Sequence, residues 1–160
     1  MGVQKISDKL QVVFSNTPEI SLVYLFGSRG EGETGPMSDI DLGVLIANTE
    51  DVDLIQAQLV HKVRKGLKID RVDVILLNRA PIELTYAVIA QGTCIFQRDT
   101  ATRVEFEANT MSRYGDYLPV LRDQREQVLG GEGYDRRVQR YREALRRTER
   151  TLSQIKPAQR

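Results

Sequence analysis

Histidine and cysteine are nearly missing from this chain, which has one of each, His61 and Cys94, in 160 residues. One thiol cannot build an internal disulfide framework or a Cys-rich zinc site. One imidazole cannot build a His-pair metal site, and it argues against histidine acid–base catalysis. Long apolar runs are missing as well: nothing approaches the ~18–20 residues of a membrane span. No signal-peptide core follows Met1-Gly2-Val3-Gln4-Lys5. These absences lead us to expect a soluble protein of the reducing cytoplasm. What is present is globular composition, 41% hydrophobic and 28% charged, which excludes a disordered chain. At this length a fold buries roughly 68–70% of its unfolded surface, so a core forms without staples.

The net charge of +1 conceals an asymmetry. Residues 1–100 hold 10 Lys and Arg against 13 Asp and Glu, whereas residues 101–160 hold 13 against 9. The basic tail suits an acidic partner surface or nucleic acid, or is simply a solvated helix face.

Residues 3–14 place Ile6, Leu10, Val13 and Phe14 near helical spacing. Residues 20–26 form a β-branched and aromatic run that ends at Gly27, a buried-strand pattern. Residues 29–38 are loop-like, with Gly30, Gly32, Gly35 and Pro36. A second strand follows at 40–47. Thr49 or Asp51 caps a helix over 52–68, and a third strand runs over 71–77. Pro81 opens a helix that Gly92 stops, and Cys94-Ile95-Phe96 is a short last strand. This order predicts an α/β nucleus over residues 1–98. The remainder, 99–160, reads as a C-terminal helical extension. It comprises a helix over 102–128 that Gly115 and Pro119 should kink or break, a Gly-rich turn at 130–133, and a basic amphipathic helix over 134–155. In that last helix Tyr134, Val138, Tyr141, Leu145, Thr148, Leu152 and Ile155 form a heptad-like seam.

Chemistry concentrates between residues 25 and 42. Gly27-Ser28 closes a buried strand, where glycine permits a sharp turn and close approach to the backbone. Ser28 adds a hydroxyl and a backbone N–H suited to phosphate, and Arg29 adds a fixed cation. Asp39 and Asp41 flank Ile40 at the start of the next strand, so their side chains share a face, roughly 6–7 Å apart. Two like charges there repel each other and resist burial. A hard divalent cation with oxygen ligands relieves both problems, and Mg²⁺ typically binds through one or two carboxylates plus substrate phosphates. Asp73, in the apolar run Val72-Asp73-Val74-Ile75-Leu76-Leu77, adds a third acid if its strand lies beside the second. Three such acids can hold two metals ~3.5–4 Å apart, the arrangement for in-line nucleotidyl transfer. Asp70 competes for that role but reads more simply as a loop acid.

Gly27-Ser28, ten intervening residues and Asp39-Ile40-Asp41 resemble the signature of the DNA polymerase β-like nucleotidyltransferase superfamily, with Asp73 as its third acid. Within it the chain looks like the minimal nucleotidyltransferases, in particular the MntA-type antitoxins paired with HEPN-domain toxins in type VII toxin–antitoxin systems. The resemblance implies a mixed sheet flanked by helices, ATP as donor, and Mg²⁺ on Asp39, Asp41 and Asp73. It implies that Asp73 also activates the acceptor hydroxyl, and that Gly27, Ser28 and Arg29 contact the nucleotide. It implies adenylyl transfer onto a tyrosine of the cognate toxin, which silences that toxin's RNase activity. One departure is local: Gly30-Glu31-Gly32 stands where relatives often read Ala-Arg-Gly. The Arg-x(4–6)-His pattern of HEPN ribonucleases is missing, because residues 54–56 before His61 are Leu54, Ile55 and Gln56. A HEPN partner would therefore be a separate chain in a hetero-oligomer, and His61 reads as a helix-surface residue.

Two other readings stand beside adenylyl transfer to a toxin. One is neutralisation by tight binding without chemistry; the other is a small-molecule acceptor. For the tail, an intramolecular hairpin is favoured over docking on a partner. The Arg face of residues 136, 137, 140, 146, 147 and 150 would then stay outside, facing an acidic protein in preference to nucleic acid, since no aromatic platform accompanies it.

Overall fold

The structure is a computed structural model that describes residues 2–27, 39–47, 51–126 and 132–154. Nine elements occur in the described residues: α1 (Val3–Ser15), β1 (Ile20–Phe26), β2 (Ile40–Ile46), α2 (Val52–Leu67), β3 (Val72–Leu76), α3 (Ile82–Gln91), β4 (Thr93–Gln97), α4 (Thr100–Glu126) and α5 (Glu132–Gln154). The contacts divide the chain into two compact units, Met1–Arg103 and Val104–Arg160.

The first unit is a four-stranded mixed sheet in the order β3-β2-β1-β4. β1 pairs antiparallel with β2 and β4, and β2 pairs parallel with β3. Strand alternation sends Val23, Leu25, Ile40, Leu42, Val44, Val72, Val74 and Leu76 into one core with Ile6, Leu10 and Phe14 of α1 and Ile55, Leu59 and Val63 of α2. The other face is covered by α3. There Gly43 lets the helix come close: a Cβ at Gly43 would lie 2.7 Å from Val88 Cγ1 and 3.2 Å from Leu77 Cδ2. Side chains also tie the sheet margins to neighbouring backbone. Asn78 donates to the Ile46 carbonyl (2.8 Å) and accepts from the Ile46 N–H (2.9 Å). Arg98 donates to the carbonyls of Ile20, Phe14 and Thr17 and lies over the Phe96 ring.

The expected cap at Asp51 is present as backbone only. Its carbonyl accepts from Ile55 N–H (3.1 Å), while its side chain makes no capping bond; Thr49, the other candidate, lies outside the described residues. At its other end α2 stops on Lys68, whose left-handed φ of 57° breaks the helical bonding. Gly92 ends α3 with φ −81°, so its use is closeness rather than handedness: a Cβ there would strike the Val88 carbonyl.

The second unit corrects half of one expectation: the helix is not broken at Gly115 or Pro119. α4 runs unbroken from Thr100 to Glu126, through both Gly115 and Pro119. Pro119 forfeits one bond, to the carbonyl four residues back, and that residue is Gly115. Burial of Met111, Tyr114, Leu118 and Leu121 holds the helix together across the gap. α5 begins at Glu132, inside the expected 130–133 turn; residues 127–131 lie outside the described residues. The two helices meet through Tyr114 and Tyr141, whose ring centroids are 6.1 Å apart, and the Tyr141 hydroxyl fills the space a Gly115 Cβ would need. Of the seam, Thr148 is buried and Val138, Tyr141 and Leu145 are half-buried, with Ala144 buried beside them; the side chains of Tyr134, Leu152 and Ile155 lie outside what the structure describes. No helix among the described residues is long and apolar enough to cross a membrane.

Candidate active site

The site is built at the end of the sheet where β1 finishes and β2 and β3 begin. Antiparallel pairing sets Phe26 opposite Asp41, and parallel pairing sets Asp41 opposite Asp73. The two carboxylates therefore stand side by side on one face, as residues in register do. They share the face covered by α3 further along, since their neighbours Ile40, Leu42, Val72 and Val74 point into the opposite core. Asp39, two residues before Asp41, adds a third acid at the rim.

Gly27 completes the inner wall. Its φ is +74°, a region L residues with a Cβ avoid. A Cβ built there would collide with the Asp41 carboxylate. The glycine thus serves two needs at once: the strand's abrupt exit and room for an acid against the backbone. Ser28 and Arg29, the other expected nucleotide contacts, lie outside the described residues.

Asp41 is half-buried, and its carboxyl is pushed above the ordinary carboxylate range, first by burial and then by the charges of Asp73 and Asp39. Asp39 and Asp73 are exposed. For Asp73 this differs from the interior position its apolar run suggests. β3 is an edge strand, and its alternate face lies open at this end, so an acid is tolerated. Asp39 Oδ1 lies 3.7 Å from Arg71 Nη1. Among the described residues no three His, Cys, Asp or Glu side chains converge as a ready metal cage, and Asp39 faces the guanidinium instead. The donor set nonetheless fits a hard divalent cation. It offers only carboxylate oxygens, and it concentrates negative charge that one half-buried acid already resists.

Arg71 is the residue that sequence reasoning missed. A cation just before a strand has no distinguishing pattern; only the register of β2 on β3 shows which acid it meets. Asp70 sits exposed in the bend before β3, as a loop acid does. His61 is exposed on α2, as a helix-surface residue.

Comparison with known proteins agrees with this geometry. The family described as Polymerase beta, Nucleotidyltransferase matches residues 8–101, which take in the whole sheet and all three acids. The protein adenylyltransferase MntA of Shewanella oneidensis is 32% identical over 105 residues, 66% of this chain and 73% of that protein. Among solved structures, a toxin–antitoxin crystal structure with AMP-PNP matches at TM-score 0.58 and 30% identity, covering 81% of this chain and 96% of the matched one. A structure of the tri-AMPylated Shewanella oneidensis HEPN toxin in complex with MNT antitoxin matches at TM-score 0.56 and 28% identity, covering 79% and 95%. With its strand-end glycine set against Asp41 and Asp41 in register with Asp73, the chain belongs to the polymerase β-type nucleotidyltransferase family.

Proposed function

We propose that this chain is an antitoxin enzyme that transfers AMP from ATP to a tyrosine of a separate HEPN ribonuclease toxin, and so silences it. The observation that carries the reading is the Asp41–Asp73 pair beside Gly27, in a chain 32% identical to an adenylyltransferase. The relative crystallised with AMP-PNP supports ATP as donor, and the tri-AMPylated toxin supports a protein acceptor. The reading places the pair in the cytoplasm, as a hetero-oligomer.

Asp39, Asp41 and Asp73 would hold Mg²⁺, two ions in this reading. The metal, when bound, supplies charge neutralisation for the triphosphate and acidifies the attacking hydroxyl. The protein's own residues do the rest. Gly27 makes room for the Asp41 carboxylate and would offer its backbone N–H to the phosphates, with Ser28 and Arg29 as further contacts. The tyrosine oxygen forms a bond to the α-phosphorus as the bond to the bridging oxygen breaks and pyrophosphate leaves. The Asp73 carboxylate takes the hydroxyl proton. Asp73 suits that task because it is exposed at the rim, where an acceptor arrives, whereas Asp41 is set deeper.

The test is an intact-mass spectrum of the polypeptide that co-purifies with this chain, from wild-type cells and from an Asp39→Asn/Asp41→Asn strain. AMP added only by the wild type is the expected result. A neutralised partner without added mass in either strain would replace the reading with neutralisation by binding.

A further inference from the structure

The register of β2 on β3 sets four charged residues in a square. Asp41 and Asp73 are opposite each other. One step outward Ile40 pairs with Val72, and Ile40 N–H donates to the Arg71 carbonyl (3.3 Å). One step further Asp39 and Arg71 face each other, with Arg71 Nη1 3.7 Å from Asp39 Oδ1. Three corners are carboxylates and the fourth is a guanidinium.

We infer that Arg71 is a further nucleotide-binding residue of this site: it pairs loosely with the Asp39 carboxylate and, where a divalent cation takes that carboxylate, turns its own charge to the nucleotide's phosphates. This rests on the nucleotidyl-transfer reading of the three acids. Two features make the exchange physical. The ion pair is long for a charge-assisted hydrogen bond, which runs at about 2.7–2.9 Å, so it is loosely made. The Arg71 side chain is 73% exposed, so it can swing without disturbing the core. A dication held by Asp39 would repel the guanidinium, and a triphosphate bound beside the three acids would attract it. The planar fork of arginine suits phosphate oxygens in a bidentate way that a point charge does not.

The inference makes opposite-signed demands on one substitution. In Arg71→Ala, Mn²⁺ titrated into the nucleotide-free chain should bind about three- to tenfold tighter, because a nearby like charge is gone. AMP-PNP at saturating Mg²⁺ should bind about three- to tenfold weaker, because a phosphate contact is gone. Arg71→Lys should fall between Arg71→Ala and wild type in both titrations. A purely structural role would weaken both. Mn²⁺ affinity that is unchanged or weaker in Arg71→Ala overturns the inference, and so does unchanged AMP-PNP affinity. The reading beneath it fails separately: a wild-type chain that binds no Mn²⁺, or an Asp73→Asn chain that binds it equally well, overturns the three acids as metal ligands.

Discussion

At Gly27 the chain has a hydrogen where other residues have a carbon, and the Asp41 carboxylate occupies the difference. Gly27→Ala therefore strains the backbone and displaces an acid in one step. The left-handed conformation costs about 1–2 kcal/mol with a Cβ. A displacement of the acid near 1 Å costs roughly a hundredfold in rate. We expect AMP transfer to fall by about that factor while the protein stays folded, measured by transfer assay and thermal unfolding together. Asp41 itself predicts the reverse relation between activity and stability. Burial and two neighbouring carboxylates disfavour its charged form. Asp41→Asn removes a repulsion the fold does not need, so Tm should stay level or rise while transfer is lost. A fall in Tm would mean that the acid has a structural role. These residues were legible in the sequence through their combination, Gly27-Ser28 followed ten residues on by Asp39-Ile40-Asp41. Arg71 and Arg98 were not, because an arginine looks the same whether it meets solvent, a distant acid or, as Arg98 does, carbonyls about eighty residues away.

Among the elements, the strands and helices of the first unit are found near where periodicity puts them. The order of the strands is another matter. Nothing in residues 72–76 announces that they lie parallel to β2, yet that single pairing brings Asp73 to the site. Likewise nothing in the sequence marks Gly43 as the place where α3 rests on the strand. Gly43→Ala should cost about 1–3 kcal/mol, because the added methyl lands on Val88 in a filled interface; chemical denaturation measures it. The start of α4 makes a pH prediction. Asp99 Oδ1 accepts from Thr102 N–H (2.7 Å) and Oδ2 from the Thr102 hydroxyl (2.8 Å), which holds its carboxyl below the ordinary range. A depressed carboxyl stabilises the fold above its unfolded value and loses that contribution as pH falls through its folded one. Asp99→Asn keeps an acceptor but no charge. The Tm advantage of wild type over Asp99→Asn should be present near neutral pH and vanish below the carboxylate range.

For the whole molecule, the division at Arg103 and Val104 makes two bodies of different character. The first gathers apolar residues from six elements into one core. In the second, α4 and α5 meet through Tyr114, Gly115 and Tyr141. A chain ending after Gly130 should lose helical circular-dichroism signal in proportion to α5 and keep the cooperative unfolding of the sheet. Collapse of that transition would show that the first unit depends on the hairpin. The sequence spoke for the hairpin through its seam and turn, but the break it allowed at Pro119 does not occur. A lone proline breaks a helix when nothing else fixes its two halves; here buried side chains on both sides do. The sheet order has one more consequence, in time rather than space. β1 and β2 are neighbours along the chain and pair antiparallel, so Gly27 and Asp41 come together by closing a short loop, a fast event. Asp73 arrives only after α2 has crossed over and β3 has docked parallel, a slower and longer-range step. We therefore expect a folding chain to make half of its site early and to meet the full mutual repulsion of its acids only once β3 is in place, an order that pulsed hydrogen exchange on β1, β2 and β3 would check.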